Sequence, residues 1–420
     1  MSAMISLWRR LVTGGLIMRR WLTLVWLLVF LCLLAAVDPV AAEVPLIRCP
    51  AEPPVIHTFD LVERWRIDAD DEGAPLIGII SHASAAEPGG DVLLLDSQLS
   101  HILIYSPDGE FRGAVGRDGD GPGEFRRPFR LFVLPDGALG VVSGWPAKIV
   151  CLDREGVAAG TWSPRTPMNL FHVRRVPGGW IASGQYTLDD RTESSRLYFN
   201  RVLSRFDEAG ERAYDYLTSE SVYIHQPYTH DERQPFFPYA WDLTADDLVV
   251  MSAARDAYRL EHYTLDGILV RVVEREFRPY RRTAEDKQEI RESQRVVING
   301  VRQEIVFHLL DSEPAITSLH SRPDGSLLVF TCFATRELPD GVVMRYDVHG
   351  PGGELRAEVR LRADCDLTYD ALRLLPDNRA VILRNYRSTS RAAFGMTEQD
   401  DPVREDDAFQ VIVCDLVAAD

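Results

Sequence analysis

Residues 106–137, SPDGEFRGAVGRDGDGPGEFRRPFRLFVLPDG, decide how the chain is read. Pro107-Asp108-Gly109 and Pro135-Asp136-Gly137 are tight turns with a mechanism, because proline presets φ and glycine takes positive φ without a steric penalty. Between them lie a short strand, a glycine-rich crossing from Gly116 to Gly123, and a second strand. Strand, crossing, strand is the grammar of a repeated β architecture, so the rest of the chain is searched for the same phrase.

It recurs six times. A first hairpin turn falls at Gly89-Gly90, Asp136-Gly137, Gly178-Gly179, Asp246-Asp247, Asp324-Gly325 and Asp377-Asn378. Each is followed by a β-rich run such as VLLLD (92–96), LVVMS (248–252) or SLLVF (326–330). A second turn comes later in five units, at Gly109, Gly156, Gly210, Gly267 and Gly353. The sixth unit ends soon after FQVIVCDL (409–416), and HTFDLVERWRI (57–67) is the natural donor of its missing strand. Four short strands per unit and closure by the N-terminal strand predict an all-β, six-bladed β-propeller over residues 43–420, whose sealed ring leaves few open sheet edges. TAEDKQEIRESQRVVINGVRQEIVFHLL (283–310) is read as two short helices inserted between blades four and five.

Gly116, Gly119, Gly121, Pro122, Gly123, Glu124, Phe125 and Pro128 resemble the blade junction of NHL-type six-bladed propellers, over roughly residues 90 to 160. The resemblance implies that the outer strand of one blade hands over here to the inner strand of the next. It also accounts for Asp118, Asp120 and Glu124, which lack the full ligand pattern of a calcium loop.

The first 42 residues differ in kind. Arg19 and Arg20 precede an apolar run from Trp21 to Val37, and Val40-Ala41-Ala42 offers a small-residue cleavage pattern, so this is an export signal or an uncleaved membrane anchor. The expected location is periplasmic or extracellular. The whole chain carries a net charge of −17, and without this segment the charge is near −20, which excludes nucleic acid as a partner and favours solubility outside the cytoplasm. Five cysteines lie beyond the segment, none spaced as in a thiolate zinc site, and strand direction suggests a disulfide between Cys49 and Cys414.

Every long insertion falls between second and third strands or between units, at 184–201, 216–240, 277–316, 333–343 and 386–408. One face of the ring is therefore bare and the other heavily built, and loops on a rigid scaffold are where binding resides. The richest of them, SVYIHQPYTHDERQPFFPYAW (221–241), supplies the candidate contact residues Tyr228, His230, Asp231, Arg233, Phe236, Phe237, Tyr239 and Trp241. The same aromatics serve equally well to pin the loop to its scaffold. Tyr186, Tyr258, Arg384 and Tyr386 stand near the same side.

In the innermost strands, Arg174, Asp242, His320 and Arg373 share one column with Phe132, five positions before the second residue of each first turn. That mixture suits an anionic or polar ligand better than a divalent cation. His82, His172 and His320 would supply three imidazoles for zinc, but they stand eight, seven and five positions before their turns and so do not align. No nucleophile elbow, phosphate loop or HExxH is present. The sequence thus predicts a non-enzymatic exported protein without cofactor or metal, binding a protein, peptide or glycan. The alternative is a metal-dependent lyase or lactone hydrolase at the mouth of the axial channel.

Overall fold

The structure, a computed structural model, describes residues 43–68, 75–87, 89–188, 196–224, 228–234, 239–294, 297–298, 301–387 and 409–419. The segment read as an export signal or anchor, Phe236 and Phe237 lie outside the described residues. Residues from Leu46 onward form one compact unit.

Strands β1 (Leu46–Cys49) and β2 (Ile56–Asp68) precede a four-stranded antiparallel meander of β3 (Ile80–Ala85), β4 (Val92–Asp96), β5 (His101–Tyr105) and β6 (Phe111–Val115). The second unit is β7 (Pro128–Val133), β8 (Leu139–Ser143), β9 (Lys148–Leu152) and β10 (Ala158–Trp162). The third is β11 (Asn169–Val176), β12 (Gly179–Thr187), β13 (Arg196–Asp207) and β14 (Arg212–Ile224). After β15 (Tyr228–Asp231) comes the fourth, β16 (Trp241–Leu243), β17 (Val249–Met251), β18 (Tyr258–Tyr263) and β19 (Leu269–Arg275), with β1 added in parallel beside β19.

The segment before the fifth unit holds helix α1 (Ala284–Ser293) and strands β20 (Val297–Ile298), β21 (Val301–Arg302) and β22 (Ile305–His308). The fifth unit is β23 (Ile316–Ser321), β24 (Leu327–Thr331), β25 (Val342–His349) and β26 (Leu355–Arg362). The last is β27 (Ala371–Leu374), β28 (Arg379–Arg384) and β29 (Gln410–Ala418), completed by β2.

Strand β2 has two partners. Its first residues, Ile56–Asp60, run parallel to Glu358–Arg362 of β26, and Phe59–Asp68 run antiparallel to β29, with Ile67 opposite Val411 and Leu61 opposite Leu416. One strand thereby fuses units five and six into an eight-stranded sheet.

The side chains explain the order of the units. Strand β4 is buried along its whole length because its residues alternate between two cores. Val92 and Leu94 pack with Val381, Leu383 and Val411 of the last unit, while Leu93 and Leu95 pack with Leu131, Val141 and Val150 of the second. The same sharing continues from the second unit to the third, the third to the fourth, the fourth to the fifth and the fifth to the sixth. Each fully buried aliphatic side chain contributes roughly 1.5–3 kcal/mol, so stability is spread over these junctions.

The second turns fall between third and fourth strands as expected, and Gly109, Gly156, Gly210, Gly267 and Gly353 each donate back to the carbonyl three residues earlier. Two of these glycines also permit close approach between units. A Cβ on Gly109 (φ 89°) would stand 2.7 Å from Trp65 of β2, and one on Gly156 (φ 82°) would stand 2.6 Å from Val115 of β6.

Three expectations are corrected. Among the described residues, 283–310 hold one helix, not two. Thr283 caps α1 through a capping box with Asp286, but the β-branched residues beyond it pair as strands, β20 with β21 and β22 with β15. Much of 184–201 and 216–224 is strand rather than loop, because β12, β13 and β14 extend beyond the base unit. Cys49 and Cys414 are both free: Cys49 lies in β1 against β19 of the fourth unit, whereas Cys414 lies in β29 of the sixth.

Candidate functional site

In every unit the first strand is a sheet edge, paired on one side only: β3, β7, β11, β16, β23 and β27. Each sends a polar side chain towards a common centre. Arg174, Asp242, His320 and Arg373 stand opposite Ile181, Val250, Leu328 and Val381 of their second strands. One tier further from the first turn, His82, Arg130 and His172 stand opposite Leu95, Val142 and Ser183.

A β-bulge lies just beyond each member of this upper tier, on the side away from the first turn, between Ile80 and His82, Pro128 and Arg130, and Leu170 and His172. A bulge inserts one residue and re-aims the side chains beyond it. His82 and His172 share a tier although their sequence offsets differ because the first hairpin of the third unit is tighter, Val176 pairing with Gly179 where Ala85 pairs with Val92 in the first. Arg130 escaped the sequence reading because it lies two residues before Phe132, one tier beyond the column read there.

Asp242 is the best-held group. Its carboxylate, 0% exposed, accepts from Arg174 Nη2 at 3.0 Å and Nε at 2.6 Å, from the Ser321 amide at 2.8 Å and from the Leu243 amide at 2.8 Å. His172 Nε2 is 3.4 Å from the same carboxylate. Burial alone would raise the Asp242 carboxyl, but the Arg174 charge and the hydrogen bonds from His172 and Arg174 outweigh it and hold it well below the usual carboxylate range. An ionised carboxylate only accepts, so Nε2 of His172 carries the hydrogen.

The remaining members face water from deep inside the protein. His320 is exposed, and His82, Arg130 and Arg373 are half-buried, yet protein crowds closely around His82, Arg130 and His320. Side chains that are both deep and wet line an internal passage. Burial, together with the charges of Arg130, Arg373 and Arg174, pushes the His82 imidazole well below its usual range. Burial lowers His320 to about 4, and burial together with Arg174 lowers Arg130 to about 10. Arg130 lies over the Tyr239 ring at 5.6 Å and Arg373 over the Tyr386 ring at 5.8 Å.

The aromatic segment divides. Tyr239 is 44% exposed beside Arg130, whereas Trp241 is 1% exposed in the core between units three and four and is not a contact residue. Tyr258 is likewise core, its hydroxyl 2.7 Å from His349 Nε2. Tyr228, His230 and Asp231 belong to β15, where His230 packs on Phe307 and Asp231 pairs with Arg233 at 2.7 Å. The parallel β15–β22 pair ties the insertion before unit four to the one before unit five. Arg282, its side chain 5% exposed, bridges Glu232 and Glu313 beneath that pair. Only Tyr239, among the described aromatics expected to make contacts from this loop, meets the inner cluster.

Among the described residues no three His, Cys, Asp or Glu side chains stand close enough together to hold a metal ion, and no helix is long and apolar enough to cross a membrane. The buried histidines bear on stability. His172, His262 and His349 are buried, and burial holds all three below their usual range, His262 at about 3. A depressed folded-state value means that the unfolded chain takes up protons first, below about 6.5, so stability is complete above that pH and is lost as pH falls. The urea midpoint should therefore drop between pH 7 and 5, less steeply in His172→Gln. Parallel slopes for the two proteins would contradict the neutral, buried imidazole.

No protein-family model matches the chain, and no curated protein does. Among solved structures, a member of the DUF4221 family from Bacteroides vulgatus is 11% identical, with a TM-score of 0.45, covering 86% of this chain and 99% of its own. An exported protein of Bacteroides fragilis is 12% identical at a TM-score of 0.43, covering 86% and 99%. A virginiamycin B lyase from Staphylococcus aureus is 9% identical at 0.38, covering 83% and 98%. These are propeller-like proteins.

Proposed function

We propose that the chain is an exported six-bladed β-propeller with an NHL-like blade pattern, closed by β2, that binds a protein, peptide or glycan at its insertion-bearing end without transforming it. What supports the ring is that six hydrophobic cores are each shared by two successive units, the last with the first. What supports export is the arginine-led apolar segment before residue 43 and the acidic composition of the chain beyond it.

The observation that carries the binding reading is the convergence of solvent-accessible polar side chains from the inner edge strands on one centre. Short edge strands with inward-pointing charges resist pairing with other strands, which leaves their polar side chains available to a ligand. The connections that open onto this passage from one end carry the insertions, and β15, β22 and the Arg282 bridge make part of that end a rigid platform.

Glycan and peptide arrays probed with the purified chain test the reading. A ligand should be retained by wild type and lost in Tyr239→Ala, kept in Glu155→Ala at the opposite end, and recovered with unchanged mass. Failure to retain any ligand, or equal loss in the two variants, would sink it.

A further inference from the structure

The charges around the passage do not balance. Asp242, the one carboxylate that the six edge strands place among these groups, is already committed to Arg174. Arg130 and Arg373 have no carboxylate partner among the described residues. Arg130 reaches only the Phe171 carbonyl at 3.4 Å and the Tyr239 face, and Arg373 only the Leu372 carbonyl at 3.4 Å and the Tyr386 face. Between them in the order of units stands His82, close enough to feel both charges. In a chain of net charge −17, two guanidiniums turned inward without an acid are costly unless something anionic visits them.

We propose that Arg373, His82 and Arg130, on units six, one and two, form an arc that binds a carboxylate group entering the passage. A guanidinium presents a planar fork that matches a carboxylate with two parallel hydrogen bonds, and two forks flanking a neutral imidazole offer more donors than one carboxylate needs. Tyr239 and Tyr386 back the two arginines and limit their rotamers, so little ordering is required on binding. Arg174 is already compensated by Asp242 and so offers an incoming acid less than the two unpaired arginines do.

This assignment deepens the binding reading above and rests on it. Titration calorimetry of the purified full chain tests it with sodium galacturonate and N-acetylglutamate as sugar-borne and peptide-like carboxylates. Galactose and N-acetylglutamine serve as their neutral counterparts, and sodium phosphate as a tetrahedral anion. At least one carboxylate should bind, its neutral counterpart should not, and affinity should fall at least about tenfold in Arg130→Met and in Arg373→Met. Arg112→Met, at an exposed arginine paired with Asp91, should bind as wild type.

The Met variants should unfold no earlier than wild type, since each removes an unpaired inward cation. Arg130→Lys, which keeps the charge but loses the fork, should bind weakly and guards against a folding artefact. Silence from both carboxylates, phosphate bound as tightly as carboxylate, or unchanged affinity in the Met variants would overturn the arc. If an array ligand is retained equally by wild type and both Met variants, the arc fails while the binding reading stands. If a carboxylate binds but Tyr239→Ala spares an array ligand, the binding reading fails instead.

Discussion

A chain lacking residues 43–68 should not fold to a soluble monomer. Strand β2 covers two edges at once, that of β26 through Ile56–Asp60 and that of β29 through Phe59–Asp68, so its removal exposes both as templates for aggregation. It also takes Trp65 and Ile67 out of the core shared by the last and first units. Even the single change Trp65→Ala should be severe. Trp65 is 9% exposed, lies 5.5 Å from the Tyr105 ring, donates its indole N–H to the Pro107 carbonyl at 2.9 Å and rests on Gly109. A large aromatic truncated in a core costs about 3–5 kcal/mol, a sizeable share of the roughly 5–15 kcal/mol typical of a whole domain. Chemical denaturation should show a midpoint shifted by that amount. A loss below about 1 kcal/mol would mean that the seam is not where β2 places it.

Asp242→Ala should cost nearly as much, by a different route. Removing the carboxylate leaves Arg174 charged and unpaired, strips the acceptor from the Ser321 and Leu243 amides, and adds a third uncompensated guanidinium to the passage. Breaking a buried pair from one side typically costs about 3–5 kcal/mol. The Arg174→Met, Asp242→Ala double variant should recover part of that loss, because the orphaned charge is gone. A double-mutant cycle in urea measures the recovery, and strict additivity would show that the pair is not coupled. Because the Asp242 carboxyl is held low in the folded state, its contribution is complete above the unfolded value near 4 and disappears only as pH falls through the folded one.

The repeat was legible because its punctuation is chemical. Pro-Asp-Gly and its relatives mark turns by φ alone, and the runs between them, such as VLLLD, are apolar at nearly every position because both faces are covered. The partner of HTFDLVERWRI could be named from the missing fourth strand of the last unit, and β2 pairs there. The mismatches are local. The acidic first turn of α1 is a true helix signal, but it does not reach past Gln294 into QRVVINGVRQEIVFH, where Asn299-Gly300 between β-branched residues is a hairpin signal. The polar column of Arg174, Asp242, His320 and Arg373 was visible as a period. Arg130 was in the same period, two residues before Phe132, but one tier away from the column that was read. Trp241 stood in both an aromatic loop and a packing column, and burial decided for packing.

The double pairing of β2 also governs the order in which the chain acquires its shape. Asp60 meets Arg362, a neighbour 302 residues further along. During synthesis β2 emerges early and waits for β26 and β29, and such distant contacts are slow to find. Folding should therefore end, rather than begin, with the docking of β2, and until that moment β26 and β29 remain open to neighbouring chains. A chaperone that shields those two strands would govern the yield of native protein more than one that assists any single meander.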